Sequence, residues 1–123
     1  MQLSTNVQFL LEAQIQFKIL HWQTKGFARH NAFGGVYDAL GDLIDTFTET
    51  AMGKYGRFSF SENEKTLKLQ NITELELSLF IKTIKGKLLD MSSDLTDKDT
   101  DLLNIRDEML GEINKLSYLL TLE

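Results

Sequence analysis

The chain has 123 residues, no cysteine, no proline, two histidines and a net charge of -5. This fits a single domain over residues 1–123 and excludes a disulfide framework, a thiolate nucleophile and sulfur-ligated zinc. Apolar residues make up 42%, enough to close a core but with little area to spare at this size, so self-association is expected. Thirteen Lys and Arg against eighteen Asp and Glu, with no basic residue among the first seventeen, give no attraction for phosphate backbones, and neither a membrane-length apolar run nor a signal-peptide pattern occurs. The expectation is a soluble cytoplasmic protein that does not bind nucleic acid.

Only two valines occur, whereas Leu, Ile, Glu, Lys and Gln abound, which favours helix over strand. A first helix is expected over residues 4–25, where Val7, Leu10, Leu11, Phe17, Leu20 and His21 recur at three- and four-residue steps, with Gly26 as its stop. A second is expected over residues 31–55, carrying Phe33, Val36, Tyr37, Leu40, Leu43, Ile44, Phe47 and Ala51. Residues 56–71, GRFSFSENEKTLKLQN, lose the helical period and form one long connection. Thr73 and Glu76 make a capping box for a third helix, which continues through Leu75, Leu79, Ile81, Ile84, Leu88 and Leu89 to about residue 91. After the polar turn SSDLTDKDT, a fourth helix carries the stripe Leu102, Arg106, Met109, Ile113, Leu116 and Leu120.

Short, long and short connections predict two antiparallel hairpins. A helix of 25 residues is about 37 Å long, and sixteen extended residues reach about 50 Å, so the long connection can return to the far end and set helices two and three parallel. The expected fold is all-α: a four-helix bundle with one long crossover between helices two and three, the topology of ferritin-like folds.

The second helix carries an acidic row, Asp38, Asp42, Asp45 and Glu49, spaced four, three and four apart, and no Lys or Arg lies between Asn31 and Met52. Carboxylates at these spacings share one face and repel one another. A bound hard cation would neutralise them, and a solvated outer face would dilute the repulsion; both readings fit. His21 and His30 supply the chain's imidazoles. Along one straight helix His30 and Asp45 would stand about 22 Å apart, so a single chain cannot bring both to one ion, whereas two antiparallel second helices across a twofold axis can. Gly34, Gly35 and Gly41 lie in the same helix, pointing either to close approach by a neighbour or to a kinked start. The paired Glu-x-x-His motifs of an internal di-iron site, a G-x-S-x-G elbow and phosphate-loop motifs are all missing. The aromatics Phe17, Trp22, Phe33, Tyr37 and Phe47 are expected to pack.

The segment from residue 20 to 49, LHWQTKGFARHNAFGGVYDALGDLIDTFTE, resembles the Dps branch of the ferritin-like proteins, the mini-ferritins. The match lies in His21-Trp22, Lys25-Gly26, His30, and Asp45 and Glu49 fifteen and nineteen residues beyond His30, with Tyr37 and Leu40-Gly41 in step. The resemblance implies that His21 and His30 of one chain and Asp45 and Glu49 of its twofold mate bind iron, with Asp38 and Asp42 as further candidates and zinc as a substitute. It also implies oxidation of Fe(II) by peroxide or dioxygen, storage of the ferric product, a redox role open to Trp22, and a homodimer or a larger shell such as a dodecamer. Three departures stand out. Gly34 occupies the place of the family's usual further acidic ligand, the loop between the histidines is three residues shorter, and the family's short crossover helix is not visible. The alternative reading is a non-enzymatic helical interaction protein that keeps the fold.

Overall fold

The 3.6-residue period of the apolar positions becomes four α-helices in the computed structural model, which describes residues 2–122. They are α1 (Leu3–Gln23), α2 (Phe27–Tyr55), α3 (Glu74–Asp90) and α4 (Thr100–Leu119), with single turns of 3-10 helix at Glu62–Glu64 and Met91–Ser93. Among the described residues there is no strand, and no helix is long and apolar enough to cross a membrane. The predicted stripe of α4 is buried from Leu102 through Leu116, Arg106 included. Phe17, Phe33 and Phe47 are fully enclosed. The Phe17 ring stacks on Phe33 with centroids 6.4 Å apart and meets Phe80 edge-on at 5.6 Å, two geometries that aromatic quadrupoles favour.

Two expectations, the start of α2 and the packing of Trp22, need correction, and the third helix adds a detail. α2 begins at Phe27, four residues before the apolar pattern predicts, so His30 lies within its first turn rather than ahead of it. The turn between α1 and α2 is only residues 24–26, with an extended Gly26 as N-cap, and Ala28 and Arg29 are strong helix formers that continue naturally from it. The apolar residues of the third helix divide between two faces: Leu77, Ile81, Ile84 and Leu88 point inward, while Leu75, Leu79 and Leu89 are exposed. The inward set steps by four, three and four and forms one stripe; the outward set lies on a second stripe with the same period. Trp22 is 67% exposed and does not join the core.

Contacts at the helix ends fix the directions. Lys54 at the end of α2 bonds Asp99 and Asp101 at the start of α4, at 2.8 and 2.9 Å, so these two helices are antiparallel. Arg29 at the start of α2 bonds both carboxylate oxygens of Glu74 at the start of α3, at 2.9 and 3.0 Å. α2 and α3 therefore run parallel, and the crossover traverses the length of the bundle.

The crossover is bound to α1 by a polar ladder. Gln8 donates to the Thr66 carbonyl, Glu12 accepts from the Lys68 N–H, and Gln16 both donates to the Gln70 carbonyl and accepts from its N–H. Four helical residues advance about 6 Å, and two extended residues about 6.6 Å. The two periods therefore stay in register over several rungs. The first rung lies at the 3-10 turn, where Thr5 donates to Glu64, and Ser61 and Glu64 form their own capping box. This single turn is the crossover's helical element, short enough that the sequence period does not reveal it.

Arg106 closes the other hairpin. Its Nη1 donates to the carbonyls of Leu88 and Leu89 and to Ser92 Oγ. A buried cation thus adds a second donor to the carbonyls that the Met91 N–H also reaches at the end of α3, and opposes the negative end of its dipole. Asp99 is equally buried, accepting from Lys54, the Tyr55 hydroxyl and the Thr96 N–H. These bonds, Lys54's first, hold its carboxyl well below the usual carboxylate range, while Asp99 and Asp101 hold the Lys54 ammonium above its own.

Candidate metal-ligand groups on α1 and α2

The short turn between α1 and α2 brings the two histidines together. Their rings stack with centroids 3.7 Å apart and planes inclined by 21°. Each bonds the other's main chain: His21 Nδ1 lies 2.6 Å from the His30 carbonyl oxygen, and His30 Nδ1 lies 2.8 Å from that of His21. A carbonyl oxygen only accepts, so both Nδ1 atoms carry the hydrogen. In the neutral rings each Nε2 then holds a free lone pair. Backbone carbonyls commonly orient metal-ligating histidines in this way, fixing the tautomer and raising the basicity of the ligating nitrogen.

Gly34 explains how the rings fit. A Cβ built there would stand 2.9 Å from both Cε1 and Nδ1 of His21, closer than real Cβ atoms approach. α2 is continuous through Gly34 and Gly35, so close approach is the reading that holds at Gly34, and the approaching group is an imidazole. At Gly41 a Cβ would meet Gln14 Nε2 at 2.8 Å. That nitrogen donates to the Tyr37 carbonyl. Gly35 faces open space.

The acidic row lies on the outer face of α2, with Asp38, Asp42, Asp45 and Glu49 all exposed. The neighbouring Asp45 carboxyl, by hydrogen bonding first and by its charge second, pushes Glu49 above the ordinary carboxylate range. A cation placed beside two carboxylates one helical turn apart would relieve this repulsion. The row and the histidines stay apart in one chain: among the described residues no three His, Asp or Glu side chains gather closely enough to hold a metal ion. The separation is intrinsic to a straight helix and agrees with the spacing argument.

One neighbour of the histidines went unrecognised in the sequence. The Lys18 ammonium lies 4.7 Å from the Tyr37 ring centroid and 5.7 Å from that of Trp22, a cation held over two aromatic faces beside His21. The four-residue step from Lys18 to Trp22 was the available signal. The part played by Tyr37 depends on helix pairing, which spacing alone does not disclose.

A family described as a family of unknown function (DUF5856) matches residues 21–120, a span that includes both histidines and the whole acidic row. The chain is also similar to the "Uncharacterized 14.6 kDa protein in mobD-ri intergenic region" of Enterobacteria phage T4. The two are 32% identical over 115 residues, covering 93% of this chain and 84% of that relative. No solved structure matches the chain.

Proposed function

The chain belongs to the DUF5856 family, and from that premise we propose that it is a ferritin-like, iron-binding protein of the mini-ferritin kind whose metal site is completed between two copies. The observation that carries this reading is the histidine pair, in which two imidazoles have their Nδ1 atoms committed to backbone carbonyls and both Nε2 atoms free. His21 and His30 of one copy supply nitrogen ligands. Asp45 and Glu49 of an antiparallel mate supply oxygens, with Asp42 and Asp38 about one and two turns nearer the histidines of their own chain. A mixed imidazole and carboxylate set suits iron and accepts zinc as a substitute. The parallel course of α2 and α3 and the full-length crossover support the ferritin-like assignment.

Fe(II) is the substrate in this reading, and peroxide or dioxygen the oxidant. The protein's residues bind and orient the ion and leave coordination positions open. Trp22, exposed beside His21, is within reach as an electron donor. Protonating either imidazole removes a ligand, so occupancy falls in acid. The assembly would be a homodimer or a larger shell of dimers in the cytoplasm. The absence of an acidic side chain at Gly34 favours a second reading, an interaction protein that retains the fold without efficient oxidation.

The test is aerobic Fe(II) addition followed by ferric absorbance, with bound metal and solution mass measured on the same protein. Native protein should be oligomeric and oxidise iron faster than the His30→Ala and Asp45→Ala variants. Equal rates in all three would overturn the oxidation claim, and a metal-free monomer that takes up no Fe(II) would overturn the shared site.

A further inference from the structure

The strongest unused feature is a groove between α3 and α4, remote in function from the histidine pair. Arg106 ties these helices together where α3 ends. At the opposite end they part, leaving a cavity of about 440 Å³ between the start of α3 and the end of α4. Leu77, Ile81 and Leu120 give it an apolar floor, and Arg29, Lys82 and Lys85 bring positive charge to its walls. Glu74 is the one carboxylate among its lining residues, and both its oxygens are engaged by Arg29. Lys82 and Lys85 form no ion pair among the described residues. A second cavity of about 530 Å³, under the turn between α1 and α2, shares Arg29, Glu74 and Leu77 with the first. The Arg29–Glu74 pair therefore stands between the two.

The volume lies within the range of small-molecule sites, which combine an apolar lining with a few placed polar groups. From Leu77 to Lys85 the groove follows α3 for about 12 Å, so a ligand must be longer than a simple ion. An inorganic anion would leave the floor uncovered, and a neutral hydrocarbon would leave two unpaired ammonium groups at the edge. We propose that the groove between α3 and α4 binds a small amphipathic anion, a medium-chain carboxylate, with its head at Lys82 and Lys85 and its tail over Leu77, Ile81 and Leu120.

The test is calorimetric titration of the full chain with decanoate, with decanol and acetate as probes lacking the charge or the tail. Two variants accompany it. Lys82→Ala with Lys85→Ala removes the head contacts. Ser117→Leu fills the groove; the Ser117 hydroxyl bonds only the Ile113 carbonyl of its own helix, so its loss orphans no other side chain, and circular dichroism verifies the fold. Decanoate should bind one to one, at least tenfold tighter than either control probe. Binding should weaken at least tenfold in the lysine variant, vanish in Ser117→Leu, and persist in His30→Ala. The proposal is overturned by any of three results: no saturable binding below the concentration at which decanoate self-associates, unchanged binding in the lysine variant, or a dimer that Ser117→Leu dissociates while decanoate has no effect.

Discussion

Replacing Gly34 and Gly35 by alanine, one at a time, separates a helix-propensity gain from a steric conflict at adjacent positions. Glycine in a helix interior costs about 1 kcal/mol relative to alanine. At Gly35, where an added methyl meets open space, that gain should be realised in full. At Gly34 the methyl would meet the His21 ring at 2.9 Å, so the ring must retreat by about half an ångström to reach ordinary contact, and overpacking of this kind costs about 1–3 kcal/mol. The ring cannot retreat freely, because it is stacked on His30 and bonded to its carbonyl. An unfolding entropy of about 2.1 cal/mol/K per residue gives about 0.26 kcal/mol/K for the whole chain. The two variants should therefore differ in Tm by about 4–12 °C, Gly35→Ala being the more stable. Thermal unfolding followed by circular dichroism measures this. In a His21→Ala background the conflict disappears, and Gly34→Ala should stabilise by about 1 kcal/mol, as Gly35→Ala does. Equal stabilisation by both substitutions in the native background would refute the packing of His21 against Gly34.

The carboxylates predict acid behaviour. Asp99 and Asp101 are held below their ordinary value chiefly by Lys54, and Glu64 is held down to about 2 chiefly by Thr5. Depressed carboxylates stabilise the fold above their unfolded values and lose that contribution as pH falls through the folded ones. Urea midpoints should therefore drop as pH goes from about 4 towards 2, and Asp99→Asn should flatten the slope. Glu49 has the opposite sign: its raised value means that the folded state binds the proton more tightly, so protonation relieves strain, and Asp45→Asn should remove the upshift in a carboxyl NMR titration. Phe17→Ala, at a fully enclosed ring touching Phe33 and Phe80, should cost about 3–5 kcal/mol in denaturant unfolding; a loss under 1 kcal/mol would contradict its place in the core. Gln16→Ala removes both bonds to Gln70 and should cost about 1–3 kcal/mol, with faster amide exchange at Gln70 and Lys68. Unchanged exchange there would show that the crossover does not depend on the ladder.

Much of the architecture was legible because helix-forming patterns are local. The α4 stripe, the Thr73–Glu76 capping box and the gathering of the acidic row on one face of α2 follow from spacings of three and four, which any helix converts into a face. The start of α2 was not legible, because residues 27–30 carry little apolar period and the helix is set instead by a tight turn at Gly26. The exposure of Leu75, Leu79 and Leu89 was hidden for a related reason: α3 carries two apolar stripes, and sequence does not say which one the other helices cover. Trp22 failed as a core residue because its side of α1 is turned to solvent.

The candidate site divides along the same line. The sequence determined the residue types, the acidic row and its separation from the histidines along one helix, since these depend only on composition and helical rise. Tertiary structure alone decided that His21 and His30 stack, that each Nδ1 is taken by the other's carbonyl, and that Gly34 makes room for a ring. It likewise decided that Arg106 caps α3 and that a glutamine ladder carries the crossover along α1. These contacts join residues that are distant in the chain or separated by a turn, and their partners are chosen by how whole helices pack, a quantity that local periodicity does not contain.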